Sequence, residues 1–172
     1  MELWKLQRHH NFSEDYKLIS VLTPMGKNLI DDNRVDMVID PNAEFGAMIQ
    51  NRTNLPLYPY LFYFDCSNFS IIPWYVPPTG MDGRHVDPPL LPESTFPIGF
   101  GNDGAPPYEF FLPKGEKRDV GFFKLYLTTS PTDLSCISRG SAFESARGAG
   151  ASRQIHPDIW GSKLVTVFMK EA

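Results

Sequence analysis

Residues 57–75 read LYPYLFYFDCSNFSIIPWY, and eight of these nineteen residues are aromatic. A polar break, Asp65-Cys66-Ser67-Asn68, separates two runs of aromatic and β-branched side chains, which is the pattern of a β-hairpin. The first run is apolar at both parities. Tyr58, Tyr60, Phe62 and Phe64 share one face, and Leu57, Leu61 and Tyr63 share the other. A strand apolar on both faces has to be covered on both. The expectation is a strand in the middle of a sandwich.

Other segments repeat the pattern of short apolar runs between turn signals. Leu3 to Gln7 reads as a short strand, and Tyr16 to Leu22 as a better one ended by Thr23-Pro24-Met25-Gly26. Asp31-Asp32-Asn33 is a polar turn. Arg34 to Ile39 then alternates, with Val35, Met37 and Ile39 pointing one way. Phe45 to Gln50, Tyr108 to Leu112, Gly121 to Thr129 and Leu164 to Lys170 complete the strands, with a brief pairing expected at Phe96 to Phe100. Pro131 to Cys136 suits a single helical turn capped by Ser130 or Thr132. Two long loops are expected: residues 77–95, rich in Pro and Gly, and residues 138–154, Gly-rich and flexible. The fold class is therefore all-β, an antiparallel β-sandwich of about eight strands in one domain spanning 172 residues. A chain of this length buries about 70% of the surface it exposes unfolded, so its core needs no staple.

Charge removes one class of function. The formal net charge is −4, and no Lys/Arg block occurs, so the counterion release that drives nucleic-acid binding has no source. No apolar run reaches the ~18 residues of a membrane span. The opening MELWKLQRHHNFSEDYK lacks the apolar core of a signal peptide, so the expected compartment is the cytosol. There Cys66 and Cys136 are expected as free thiols. The sequons at Asn11, Asn51 and Asn68 read as chance matches.

No catalytic constellation is complete. A Cys-His nucleophile would draw on Cys66 or Cys136 and on His9, His10, His85 or His156, yet neither cysteine lies in a Gln-Ala-Cys-X-Gly context. The ordinary reading is a small, half-buried thiol. His85 and Asp87, with Asp82 nearby, fall short of four zinc ligands and read as a solvated loop. His9 and His10 are adjacent on a strand and face opposite sides. Gly99-Phe100-Gly101-Asn102-Asp103-Gly104 fits G-x-G-x-x-G, but Ala105-Pro106-Pro107 follows where a dinucleotide site needs a helix. No metal and no cofactor is expected. Trp74 and Tyr75, just before Pro77-Pro78, either fill the core or present a stacking surface. The candidate binding surface is Trp74, Tyr75, Asp82, His85, Asp87 and Asn102.

Four blocks, RVDMVID, LYPYLFYFDCSNFSIIPWYVPP, EFFLPKGEKRDVGFFKLYLTT and IWGSKLVTVFMK, carry a likeness over residues 34–170. In order and spacing they resemble the C-terminal, β-rich region of basidiomycete caspase-like (metacaspase-type) proteins. A looser likeness extends to bacterial domains attached to caspase-like peptidases or kinases, in which an aromatic strand ending in Y-F-D precedes a proline-marked loop. This sequence lacks the peptidase domain that would carry the catalytic His and Cys, so no catalytic residue of that family maps onto it. The resemblance implies a non-catalytic recognition or regulatory module acting through protein–protein contact. Its partner would be a separate protein or a fused caspase-like peptidase domain. A stand-alone lectin-like protein is the alternative, its aromatics and Asp82, Asp87 or Asn102 meeting sugar hydroxyls. A small hydrolase using Cys66 or His85 is the minor one. Either a monomer or a dimer fits, since edge strands of a sandwich pair readily between copies.

Overall fold

The computed structural model describes residues 1–12, 15–78, 87–101, 104–141, 143 and 160–172. Among them nine strands follow one another: β1 (Glu2–Phe12), β2 (Leu18–Met25), β3 (Arg34–Val38), β4 (Phe45–Gln50), β5 (Tyr58–Asp65), β6 (Ile71–Tyr75), β7 (Thr95–Ile98), β8 (Arg118–Thr128) and β9 (Trp160–Lys170). A 3-10 turn at Ser135–Ile137 stands where a helical turn was expected. The strands form a four-stranded sheet, β2-β1-β4-β7, and a five-stranded sheet, β3-β9-β8-β5-β6. Pairing is antiparallel except for β3 against β9, a parallel pair at the sheet edge that local pattern gives no sign of.

Proline marks the edges. A proline cannot donate to a ladder, so in sheets it is confined to edge strands, strand starts and bulges. Pro24, Pro73 and Pro97 lie in β2, β6 and β7, three of the four edges. Pro59 lies in β5, but the β6 ladder reaches only to Leu61 and leaves that side of β5 without a β6 partner at Pro59.

One core joins the two sheets. Leu3, Phe45, Ala47, Ile49 and Ile98 from the first meet Val35, Leu61, Tyr63, Phe123, Leu125, Val165 and Val167 from the second. The outward face of β5 carries a second cluster, Tyr58, Tyr60 and Phe62, against which Leu134 and Ile137 pack from the segment after β8. β5 is thus covered on both faces with the parities its sequence dictates. Its outer cover is irregular chain rather than a sheet, tied down where the Thr132 amide donates to the Tyr60 hydroxyl at 2.8 Å.

Two expectations fail for local reasons. Tyr108 to Leu112 is not a strand; it makes an isolated bridge in which Tyr108 and Phe45 exchange amide bonds of 2.8 and 2.9 Å. β4 begins at Phe45, so a ladder has nowhere to extend. β1 runs past its expected end at Gln7 to Phe12 because β2 pairs with it along Lys5 to Phe12, while β4 pairs only over Glu2 to Lys5. The outcome is a two-stranded arm with Phe12 and Leu18 exposed near its end. Buried Asn51 anchors the loop before β5, its Nδ2 donating to the Leu55 carbonyl at 2.7 Å and the Leu91 carbonyl at 3.0 Å. A glycan on that amide is incompatible with the folded chain.

Candidate functional site

The inward parity of the five-stranded sheet does not end in apolar residues. Leu61, Tyr63 and Asp65 follow one another on the inner face of β5, and Phe123, Gly121 and Asp119 run in step on β8, with Asp65 opposite Gly121. Both series therefore finish in a carboxylate where the sandwich opens. The segment 106–111 crosses this opening, held by the Trp74 Nε1–H donating to the Pro106 carbonyl at 3.0 Å. Between segment and sheet lies a cleft of about 520 Å³. Tyr63, Trp74, Tyr108 and Phe110 line its depth, and Asp65, Glu109 and Asp119 are its charged lining residues. Ile72 and Phe111 also line it and are exposed, at 43% and 60%.

The rings form one tilted cluster. Tyr108 lies 5.0 Å from Trp74, 5.1 Å from Tyr63 and 4.9 Å from Phe110, centroid to centroid. Tyr63 fits because position 121 is glycine: a Cβ there would fall on the Tyr63 hydroxyl. That hydroxyl donates to the Met169 thioether at 4.0 Å.

Burial first, then the charges of Asp65 and Asp119, pushes the Tyr63 phenol well above its ordinary value. Burial, Tyr63 and Asp65 do the same to Tyr108. Burial, with added repulsion from Asp65 and Glu116, also raises the Asp119 carboxyl, against the lowering effect of the Val120 amide that donates to it. Both phenols hold their protons more tightly in the folded chain than in the unfolded one. Their contribution to stability is therefore complete below about pH 10, the ordinary phenol value, and is lost as pH rises beyond it. Titration from about pH 9 to 12 should unfold the chain cooperatively. The phenolate absorbance of these rings should then appear together with loss of the β-sheet circular dichroism; phenolate formation complete before unfolding would refute it.

Trp74 and Tyr75 are both buried, at 7%. A bulge explains why two consecutive strand residues point inward. Leu61 pairs with Tyr75 and Phe62 with Pro73, so Trp74 is the extra residue and alternation breaks there. Trp74 lines the cleft, whereas Tyr75 packs on Phe96 at 5.0 Å. Asp87 is exposed and is not among the lining residues. Asp82, His85 and Asn102 lie outside the described residues, as do residues 79–86 of the long loop and residues 142 and 144–154 of the Gly-rich one. Asp65, Glu109, Asp119 and Tyr108 were missed by sequence reasoning. The available signal was parity: a carboxylate in step with core residues at a strand end.

Cys66 and Cys136 are free thiols. Burial, followed by Asp119 and Asp65, raises the Cys66 pKa, which keeps it a thiol and a poor nucleophile. Among the described residues no group of three or more His, Cys, Asp or Glu is placed to hold a metal ion, and no helix is long and apolar enough to cross a membrane. No family model, no curated protein and no solved structure matches this chain.

Proposed function

We propose that this chain is a non-catalytic recognition domain that acts through protein–protein contact, with the cleft at the open end of the sandwich as its docking place. The block resemblance supplies the setting, a caspase-like protein system whose peptidase domain lies in the same chain or a separate one. The observation that carries the reading is the cleft's composition: exposed Phe111 and Ile72 beside three carboxylates, over an aromatic floor. An apolar patch rimmed by charge is how interaction sites are built.

The test is paired substitution at the exposed apolar positions, Ile72→Thr with Phe111→Ser. Both side chains face solvent, so the expected stability change is within about 0.5 kcal/mol for each. Proteins of a host extract that the immobilised parent chain retains should be lost from the variant. Equal retention by both chains would remove the cleft as the docking place.

A further inference from the structure

We infer that the cleft takes the positively charged side chain of a lysine or arginine carried by the protein partner, an inference that rests on the recognition reading above. Asp65, Glu109 and Asp119 line the cleft, and no Lys, Arg or His does. Among the described residues none of these carboxylates is in an ion pair; the pairs formed are Lys5 with Asp40, Arg8 with Glu44 and Arg34 with Asp36. Among the described residues, then, no cation is paired with the three carboxylates. Asp65 Oδ1 accepts from the Ser67 amide at 2.8 Å and its hydroxyl at 2.6 Å, and Asp119 Oδ1 accepts from the Val120 amide at 2.7 Å. These bonds fix the two side chains.

The rest of the lining suits such a side chain along its whole length. Lysine and arginine lay an apolar stem along apolar surface and keep the charged head at a polar one. Ile72, Pro106, Pro107 and Phe111 supply the first, and the carboxylates supply the second. Aromatic rings below add attraction for a cation, and a guanidinium stacks on them as well. An acidic partner would meet repulsion from all three carboxylates. Asp119 also lines an adjoining hollow of about 260 Å³, together with Arg34, Arg118 and Lys170, none of which is within ion-pair distance of it. Arg34 there is held by Asp36 through two bonds of 2.6 Å.

The experiment follows backbone amide shifts of the full chain by nuclear magnetic resonance. It uses three probe peptides, acetyl-GSLRLSG-amide, its lysine counterpart and its citrulline counterpart, the last keeping arginine's shape without its charge. At least one cationic peptide should move the amides of Asp65, Glu109, Phe111 and Gly121 saturably, and the citrulline peptide should not. Asp65→Asn, Glu109→Gln and Asp119→Asn together keep the accepting oxygens and remove the charge, and should weaken binding about tenfold or more. Should that triple variant not fold, Glu109→Gln alone, on an exposed side chain, should weaken it in the same direction. Citrulline binding as well as arginine, cationic peptides leaving the cleft amides unmoved, or neutralised chains binding as the parent does would each overturn the inference. Failure of the recognition reading shows separately, as unchanged retention by the Ile72→Thr/Phe111→Ser chain.

Discussion

Trp74→Ala should lower stability by about 3–5 kcal/mol, the range for deleting a buried large aromatic. In a chain of this size that is a melting temperature lower by roughly 6–20 °C. The indole is 7% exposed, lies 5.0 Å from Tyr108 and 5.3 Å from Phe123, and its N–H holds the Pro106 carbonyl at 3.0 Å. Alanine would open a cavity in the aromatic cluster and leave segment 106–111 without that tether. Thermal melts of the two chains decide it; midpoints within a degree or two of each other would place the indole on the surface after all. A variant that damages the fold is also a poor probe of partner capture, so Phe111 and Ile72 are the better positions to vary.

Gly121→Ala should destabilise by about 1–3 kcal/mol, the cost of overpacking a filled core. Adding a Cβ to a glycine otherwise stabilises by about 0.4–1 kcal/mol through the unfolded chain, so here the steric effect wins. The added carbon would land on the hydroxyl and ring of Tyr63, which is 5% exposed and packed against the rings of Tyr108, Phe110 and Phe123. Gly46→Ala is the internal control. Its Cβ would meet the ring of Phe100, which is only half-buried, and come within 3.1 Å of the Leu6 methyl, whereas at position 121 the approach to Tyr63 is closer still and falls on a 5% exposed ring. Urea unfolding of both variants should show a clearly lower midpoint for Gly121→Ala than for Gly46→Ala, and equal midpoints would refute the steric account.

The two faces of β5 were readable because alternation is local: each residue's side follows from the one two places before it. Val35 and Met37 were readable for the same reason, and both are buried. The bulge at Trp74 was not, since it depends on how β6 registers against β5, a relation between strands. The parallel pairing of β3 with β9 was hidden in the same way, joining residues such as Val35 and Val167 from opposite ends of the chain. Tyr108 to Leu112 has strand composition, but its partner strand begins only at Phe45, so the pairing is a single bridge. The cleft was the least legible feature. It gathers Asp65 from the end of β5, Glu109 from an irregular segment and Asp119 from the start of β8, and only the assembled sheet places them around one opening.

Strand β5 contributes to both apolar clusters, and most of what covers it lies later in the chain. Its outer cover is centred on Leu134 and Ile137, its longer sheet neighbour is β8, and β8 in turn pairs with the closing strand β9. As the polypeptide leaves the ribosome, Tyr58, Tyr60 and Phe62 emerge with only β6 as a sheet neighbour, and its ladder reaches Phe62 but not Tyr58 or Tyr60. They wait for more than sixty further residues (Arg118–Thr128, then Ser135–Ile137) before they can be enclosed. Nascent chains of this protein therefore display an adhesive aromatic ribbon for much of their synthesis, which makes the interval before β8 emerges the moment of greatest demand on chaperones.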